Sequence, residues 1–158
     1  MSEYPRYSKF QITLTVISGV LLLGFTVYLC MVWNSLGEIM PSHYGIDGTA
    51  DAWSDKNSSL LMPVFGWLIY IALTSLLFIP RIWRVPTGQG NIQRQLAIYR
   101  SCRSLLCVIT LGIVAMFVYI GICTIYDRPL GSWFLPAIVV GSIVVNMVFL
   151  ARMGGKKK

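Results

Sequence analysis

Four segments of this chain are each long and apolar enough to cross a lipid bilayer. They span approximately residues 10–33, 60–79, 105–126 and 133–151. About 20 apolar residues in an α-helix, rising 1.5 Å each, cover the roughly 30 Å of a hydrocarbon core. Little sequence remains outside these segments to build a separate globular core. The sequence therefore predicts an all-α integral membrane protein with four antiparallel transmembrane helices, forming a single polytopic domain over residues 1–158.

The composition and the first segment support this prediction. Only 12% of the residues are charged and 56% are hydrophobic, whereas soluble domains are about 25% charged. Arg6 and Lys9 precede the first apolar segment, as they would in a signal peptide. That segment is too long for a signal-peptide core, however, and it lacks a small-residue cleavage site. We therefore expect it to be a retained helix.

Basic residues are concentrated on one predicted side of the membrane. Eleven of the thirteen flank the spans on that side: Arg6, Lys9, Arg81, Arg84, Arg94, Arg100, Arg103, Arg152 and Lys156 to Lys158. By the positive-inside rule, both termini are cytoplasmic and residues 34–59 are external. The expected partner of the basic residues is the anionic surface of the lipid bilayer. Nucleic-acid binding is not expected, because these residues are spread over three membrane-flanking segments.

Residues 91–103 have an amphipathic pattern. Asn91 is a plausible helix cap, and Ile92, Leu96 and Tyr99 recur at helical spacing. We predict a cytoplasmic helix that leads into span three, either at the headgroup level or projecting from it. Such a helix could also dock a partner.

The predicted spans contain no Asp, Glu, Lys, Arg or His, which argues against a proton-coupled transporter. Asn146 is the one strongly polar side chain deep in a span. Interhelical hydrogen bonding is its expected role, and a place on a transport path is the alternative.

The external segment 34–59 is longer than a helix hairpin needs, and loops beyond about 12 to 15 residues are usually functional or disordered. Its large apolar residues are unsuited to a solvated linker, so we expect a structured lid on the helix ends. These residues are Ile39, Met40, Tyr44, Ile46 and Trp53. Asp47 and Gly48 form a turn dipeptide.

Polar residues of this loop allow several interpretations. His43, Asp47 and Asp51 suggest a divalent metal site, but Gly45 and Gly48 argue against the helix that would align them. We favour a scaffold in which His43 pairs with Asp51 or Asp55. Lys56 is expected to form an ion pair near Asp55, or to capture a ligand's carboxylate or phosphate.

Motifs for catalysis and structural metal sites are missing from the sequence. There is no G-x-S-x-G, H-E-x-x-H or phosphate-binding glycine loop. The four cysteines form no CxxC pair, although Cys30 and Cys123 could lie at similar depth and form a disulfide rather than two buried thiols. We predict no enzyme, no catalytic residue and no cofactor, with acid–base chemistry at His43 and the nearby Asp residues as the alternative.

Seven residues at fixed spacing resemble the signature of a bacterial membrane family of unknown function, which also occurs in SdpI-type immunity and signalling proteins. They are Pro41, His43, Tyr44, Gly48, Asp51, Lys56 and Pro63. Gly45 stands where that signature has Asn. The resemblance covers about the first 80 residues. It implies an outward-facing module in the bacterial cytoplasmic membrane that binds or responds to an extracellular peptide or toxin.

Two functions follow as hypotheses. In the first, the loop recognises an extracellular peptide through His43, Tyr44, Gly48, Asp51, Trp53 and Lys56, and the bundle relays or blocks its action. In the second, the chain is a structural or accessory subunit, packed against a membrane-protein partner or another copy through small-residue faces. Those faces include Gly24, Gly121 and Gly141.

Overall fold

A computed structural model describes residues 6–79 and 92–154, which form four long helices and one two-stranded hairpin. The elements are α1 (Lys9–Val32), β1 (Ile39–Tyr44), β2 (Ala50–Asp55), α2 (Leu61–Phe78), α3 (Ile92–Ile125) and α4 (Phe134–Gly154). All four helices are long and apolar enough to cross a membrane. The predicted fold class is therefore confirmed, and the chain has the architecture of a multi-pass membrane protein.

The third helix is longer than the predicted third span, because the predicted amphipathic extension is continuous with it. A single helix extends from Ile92 to Ile125, while Asn91 lies outside the described residues. Arg100 and Arg103 lie on this extension, in the segment predicted to lead into the span.

Arg103 is accommodated by aromatic side chains. It is 3% exposed, and its guanidinium carbon lies 4.4 Å from the ring centroid of Tyr7 and 5.4 Å from that of Tyr99. Such rings attract a cation through the negative potential of their faces. The Tyr7 hydroxyl also donates a hydrogen bond to the Leu77 carbonyl, at 2.7 Å. These contacts join the N-terminal segment, α2 and α3 at the end of the bundle opposite the hairpin.

Helix α1 packs against both α2 and α3. Leu22, Phe25 and Leu29 on α1 are almost fully buried. Glycines on the facing helices allow this close packing, because a Cβ at Gly66 would lie 2.8 Å from Leu22 and one at Gly121 would overlap the Phe25 ring. Helix α4 packs mainly on α3, and only 11% of its span is buried within the protein. The core therefore lies among the first three helices.

Gln11 is one of the polar side chains that link the helices, whereas Asn146 is not. Gln11 is 2% exposed, and its amide donates to the Arg100 carbonyl at 3.2 Å and to Ser104 Oγ at 3.0 Å on α3. Asn146 is exposed and donates to the Ser142 carbonyl of its own helix, at 2.8 Å. The interhelical bond predicted for Asn146 is absent among the described residues, because its side chain lies on the open side of α4.

Candidate binding site at the hairpin

The residues between β1 and β2 form a tight turn. The Gly45 N–H donates to the Thr49 carbonyl at 2.8 Å, and the Gly48 N–H donates to the Gly45 carbonyl at 2.9 Å. The Asp47 carboxylate accepts from the Thr49 N–H at 3.0 Å and from the Thr49 hydroxyl at 2.8 Å. These bonds, the backbone one foremost, hold the pKa of Asp47 below its ordinary value. The turn predicted at Asp47 and Gly48 is present.

This turn is attached to the connection between α3 and α4. The Leu130 N–H donates to the Gly48 carbonyl at 2.8 Å. Gly48 has a φ of +81°, and a Cβ there would lie 2.7 Å from the Gly131 carbonyl oxygen. Only glycine satisfies both constraints without strain. The hairpin is therefore fixed against the helix ends.

Met40 and Pro41 of the hairpin are buried, and Tyr44 packs partly inward. The Tyr44 hydroxyl lies 3.3 Å from Thr124 Oγ1 on α3, and Met40 is 4% exposed. Burial raises the pKa of the Tyr44 phenol above its usual value, although the hydrogen bond with Thr124 opposes this shift. The phenol is therefore held neutral.

Most of the predicted lid residues point away from the helices. Trp53 is 55% exposed, Ile39 73% and Ile46 90%. Ile39 and Trp53 lie on the strands, whose side chains alternate between two faces, whereas Ile46 lies in the turn and lines the cavity described below. Tyr44 and Met40 pack as the lid prediction expected, and the other three residues are exposed.

His43 and Asp51 form an exposed pair on the hairpin. The strand register matches His43 with Ala52 and Tyr44 with Ala50, which leaves Asp51 as an extra residue in β2. A bulge of this kind redirects a side chain, and here the His43 Nδ1 and Asp51 Oδ1 atoms lie 2.6 Å apart. This is the first of the two predicted pairs. Asp55 instead accepts the Asn57 N–H at 2.8 Å, at the start of a 3₁₀ turn.

Lys56 closes the base of the hairpin. Its ammonium lies 2.8 Å from Glu38 Oε1, and its backbone N–H donates to the Glu38 carbonyl at 2.9 Å. The ammonium also lies 5.8 Å from the Trp33 ring centroid. Lys56 thus forms a local ion pair, as expected, and Glu38 is its partner, because the antiparallel strands bring Glu38 beside Lys56 while the Asp55 carboxylate caps the following turn.

A cavity of about 260 Å³ lies between the hairpin and the helix ends. Its walls are mostly apolar and come from the hairpin and from α2, α3 and α4. They include His43, Tyr44, Met62, Ile120, Phe134 and Leu135. A shallower depression adjoins it, and the carboxylates of Asp47 and Asp51 lie along that depression. An apolar cavity with a few convergent polar groups at its mouth is the usual form of a ligand site.

A metal site and the disulfide are not formed. Within residues 6–79 and 92–154, no group of three or more His, Cys, Asp or Glu side chains could hold a metal ion. The Asp47 carboxylate already accepts hydrogen bonds from Thr49 within the turn. Cys30 and Cys123 are free thiols, the first exposed and the second buried. The two alternatives raised by the sequence are therefore not realised in the described residues.

A family model described as a domain of unknown function, DUF1648, matches residues 20–66. The match covers the second half of α1, the hairpin and the first turns of α2. It includes His43, Gly48, Asp51 and Lys56 but not Asn146. Comparison with curated proteins and with solved structures gave no significant match.

The connection between α3 and α4 is the part of the site that the sequence did not reveal. Thr124, Leu130 and Gly131 contact the hairpin, although 80 or more residues separate them from it in the chain. The sequence predicted that the third and fourth spans are antiparallel, but it gave no signal of the contact between Gly131 and Gly48.

Proposed function

We propose that this protein is an SdpI-like immunity or signalling module whose hairpin binds an extracellular peptide or toxin at the surface of the bacterial cytoplasmic membrane. The observation that carries this proposal is the apolar cavity beneath the hairpin, with the exposed His43–Asp51 pair at its mouth. The DUF1648 match, to a domain of unknown function, covers that pair.

The chemistry of the site suggests the kind of peptide. The cavity walls would accept an apolar side chain, and the exposed Asp51 carboxylate at its mouth would accept a hydrogen bond from a cation. The nearest basic side chain of the hairpin, Lys56, is already paired with Glu38. The proposed ligand is therefore a peptide with an apolar residue next to a lysine, an arginine or a free amino terminus.

The proposed orientation places the hairpin outside the cell and both termini in the cytoplasm. Among the described residues, Arg6, Lys9, Arg100 and Arg103 lie toward the end of the bundle opposite the hairpin, and Lys56 and Arg128 lie at the hairpin end. The membrane-flanking excess of Lys and Arg favours the cytoplasmic side. The hairpin end carries Glu38, Asp47, Asp51, Asp55 and Asp127.

The test is a binding measurement on the full chain in lipid nanodiscs. Two labelled probes are compared: the tetrapeptide amides Ala-Phe-Lys-Ala and Ala-Phe-Glu-Ala, both acetylated. We expect the lysine peptide to bind about tenfold more tightly, because a charge-assisted hydrogen bond contributes roughly 1.5–3 kcal/mol.

Asp51→Asn should abolish that preference. Asp127→Asn is the matched control, because Asp127 lies at the same end of the bundle but does not line the cavity, and Asn tolerates its φ of +47°. Equal binding of the two peptides to the unaltered protein, or no binding of either, would refute the proposed ligand chemistry.

An accessory subunit of a larger membrane complex is the second candidate. The large exposed surface of α4 favours it, as do Gly24 and Gly141, where an added Cβ would meet no atom within 4 Å. Gly121 does not contribute, because the Phe25 ring already covers it. Under this proposal, Gly24→Leu or Gly141→Leu would release a co-purifying membrane protein, and Asp51→Asn would not.

A further inference from the structure

We infer that the outer edge of β2 is a docking site for an extended basic peptide segment, which pairs with it as a third strand of the hairpin sheet. Among the described residues this sheet has two strands. Strand β1 contacts α3, whereas the main contacts of β2 are with β1 and the 3₁₀ turn that follows it. No residue of β2 lines the cavity beneath the hairpin. The inference therefore concerns a separate surface and does not depend on the proposed function.

The strand register shows which backbone groups face the outer edge. Lys56 and Glu38 form a hydrogen-bonded pair, because the Lys56 N–H donates to the Glu38 carbonyl at 2.9 Å. Such pairs alternate with non-hydrogen-bonded ones along an antiparallel ladder. Trp53 and Pro41, three positions further, are thus a non-hydrogen-bonded pair whose backbone groups point away from each other. No hydrogen bond to another described segment uses the Trp53 backbone, so it presents a donor and an acceptor at the edge.

The two edges of the hairpin differ in their protection. On β1, Pro41 is buried and has no N–H to offer, and proline is one of the residues that block pairing at a sheet edge. Strand β2, with the sequence ADAWSD, contains neither proline nor lysine. The bulge at Asp51 disturbs only its end nearest the turn. The outer edge of β2 therefore remains suited to strand addition, a common mode of peptide recognition.

The charges of β2 indicate that the added strand is basic. Its two charged residues, Asp51 and Asp55, are exposed. Among the described residues their recorded bonds, to His43 and Asn57, use Oδ1, which leaves Oδ2 to accept from a lysine or arginine. A second copy of β2 is disfavoured, because antiparallel pairing centred on Trp53 would place Asp51 opposite Asp55, and like charges in opposed positions are destabilising. Lipid offers no strand to pair.

Trp53 indicates the residue at the centre of the ligand. Its side chain is 55% exposed and lies on the same face of β2 as that of Asp55, two residues further along. Aromatic and β-branched side chains stabilise each other when they are paired across strands. The inferred ligand therefore has a β-branched residue with a lysine or arginine two positions away on each side.

The experiment measures binding of a labelled heptapeptide to the full chain in phosphatidylcholine nanodiscs, whose lipid has no net charge. The probe is acetyl-Thr-Lys-Thr-Val-Thr-Lys-Thr-amide. Methylation of its valine nitrogen removes the N–H that pairs with the Trp53 carbonyl and should weaken binding at least about tenfold. Methylation of the next threonine nitrogen, which points away from the edge, is the matched control and should change binding less than about twofold.

Proline substitutions test the same edge from the protein side. Trp53→Pro removes the outward N–H of β2 and should weaken binding of the probe at least about tenfold. Ile39→Pro is the control, because Ile39 lies at a non-hydrogen-bonded position on the edge of β1. Trp53→Ala keeps the N–H and should weaken binding less than Trp53→Pro. The comparison of methylated peptides decides the matter even where Trp53→Pro does not fold.

Equal binding of the probe and its valine-methylated form would overturn the inference, as would no binding of the probe. Self-association of the chain that Trp53→Pro abolishes would also overturn it, since the edge would then pair with a second copy. None of these results bears on the tetrapeptide test, which compares Asp51→Asn with Asp127→Asn at the cavity.

Discussion

Gly48 is the residue on which the attachment of the hairpin depends most directly. Its φ of +81° is strained for any side chain, and its carbonyl receives the Leu130 N–H. The facing Gly131 backbone leaves no space for a Cβ. The same residue thus shapes the turn and brings it into contact with the neighbouring helix connection.

Gly48→Ala should destabilise the hairpin by at least about 1 kcal/mol, because alanine disfavours a left-handed backbone by roughly that much before the clash with Gly131 is counted. The measurement is thermal unfolding in detergent. Gly37→Ala is the control, since its Cβ would lie at an ordinary 3.5 Å from the Ile39 carbonyl oxygen. Equal loss of stability in both variants would contradict the role assigned to Gly48.

Asp47 should make the turn sensitive to acid. Its hydrogen bonds with Thr49 lower its pKa in the folded protein, so the stability it contributes is present above the unfolded pKa of about 3.9 and is lost as the pH falls through the folded pKa. The Thr49 amide resonance, followed by NMR in detergent, should shift with a midpoint below 3.9. In Asp47→Asn this titration should disappear. A Thr49 amide that titrates identically in both proteins would disprove the assignment.

The sequence allowed some residue roles to be predicted and hid others. The turn at Gly48 and the pairing of His43 with Asp51 depend on nearby residues, so local spacing was sufficient to anticipate them. The partner of Lys56 and the exposure of Trp53 depend on strand register, which the sequence did not reveal. Functional roles for these residues stay predictions.

At the scale of the secondary-structure elements, the packing of α1 against α3 depends on one glycine contact. The Phe25 ring lies over Gly121, whereas Gly112, on the same helix, faces open space. Gly121→Ala should therefore cost about 1–3 kcal/mol through overpacking. Gly112→Ala should be neutral or stabilise α3 by up to about 1 kcal/mol, because alanine favours a helix.

Unfolding of the two variants by denaturant in detergent provides the comparison. Matched stabilities of Gly121→Ala and Gly112→Ala would show that α1 and α3 can separate without cost, contrary to the structure. The pair is informative because both glycines lie in the same helix and both changes add one methyl group.

Helix boundaries were predictable where hydropathy alone determines them. The predicted bounds of α1 and α2 differ from the observed ones by a residue at each end. The helical extension of α3 was predicted from the spacing of Ile92, Leu96 and Tyr99, but only the folded structure places the Tyr7 and Tyr99 rings around Arg103. The β1 strand was missed because its sequence, IMPSHY, has no regular alternation and contains a proline.

At the scale of the whole molecule, the proposed orientation predicts which residues can be labelled from outside the cell. In a chain whose native cysteines are changed to alanine, Ile46→Cys should react with a membrane-impermeant maleimide on intact cells. Ile46 is 90% exposed at the hairpin end. Ile92→Cys, 72% exposed at the opposite end, should react only after permeabilisation. The reverse labelling pattern would show that the hairpin faces the cytoplasm and would contradict the proposed orientation.

The hydrogen bond from Leu130 to Gly48 bears on where this protein can be divided. The DUF1648 match ends at residue 66, yet Ile120, Phe134 and Leu135 provide a wall of the cavity under the hairpin. A fragment ending after α2 would keep the His43–Asp51 pair but would lose that wall and the Tyr44 contact with Thr124. The matched segment is thus a unit of sequence, while the cavity beneath its hairpin is completed by the second half of the chain.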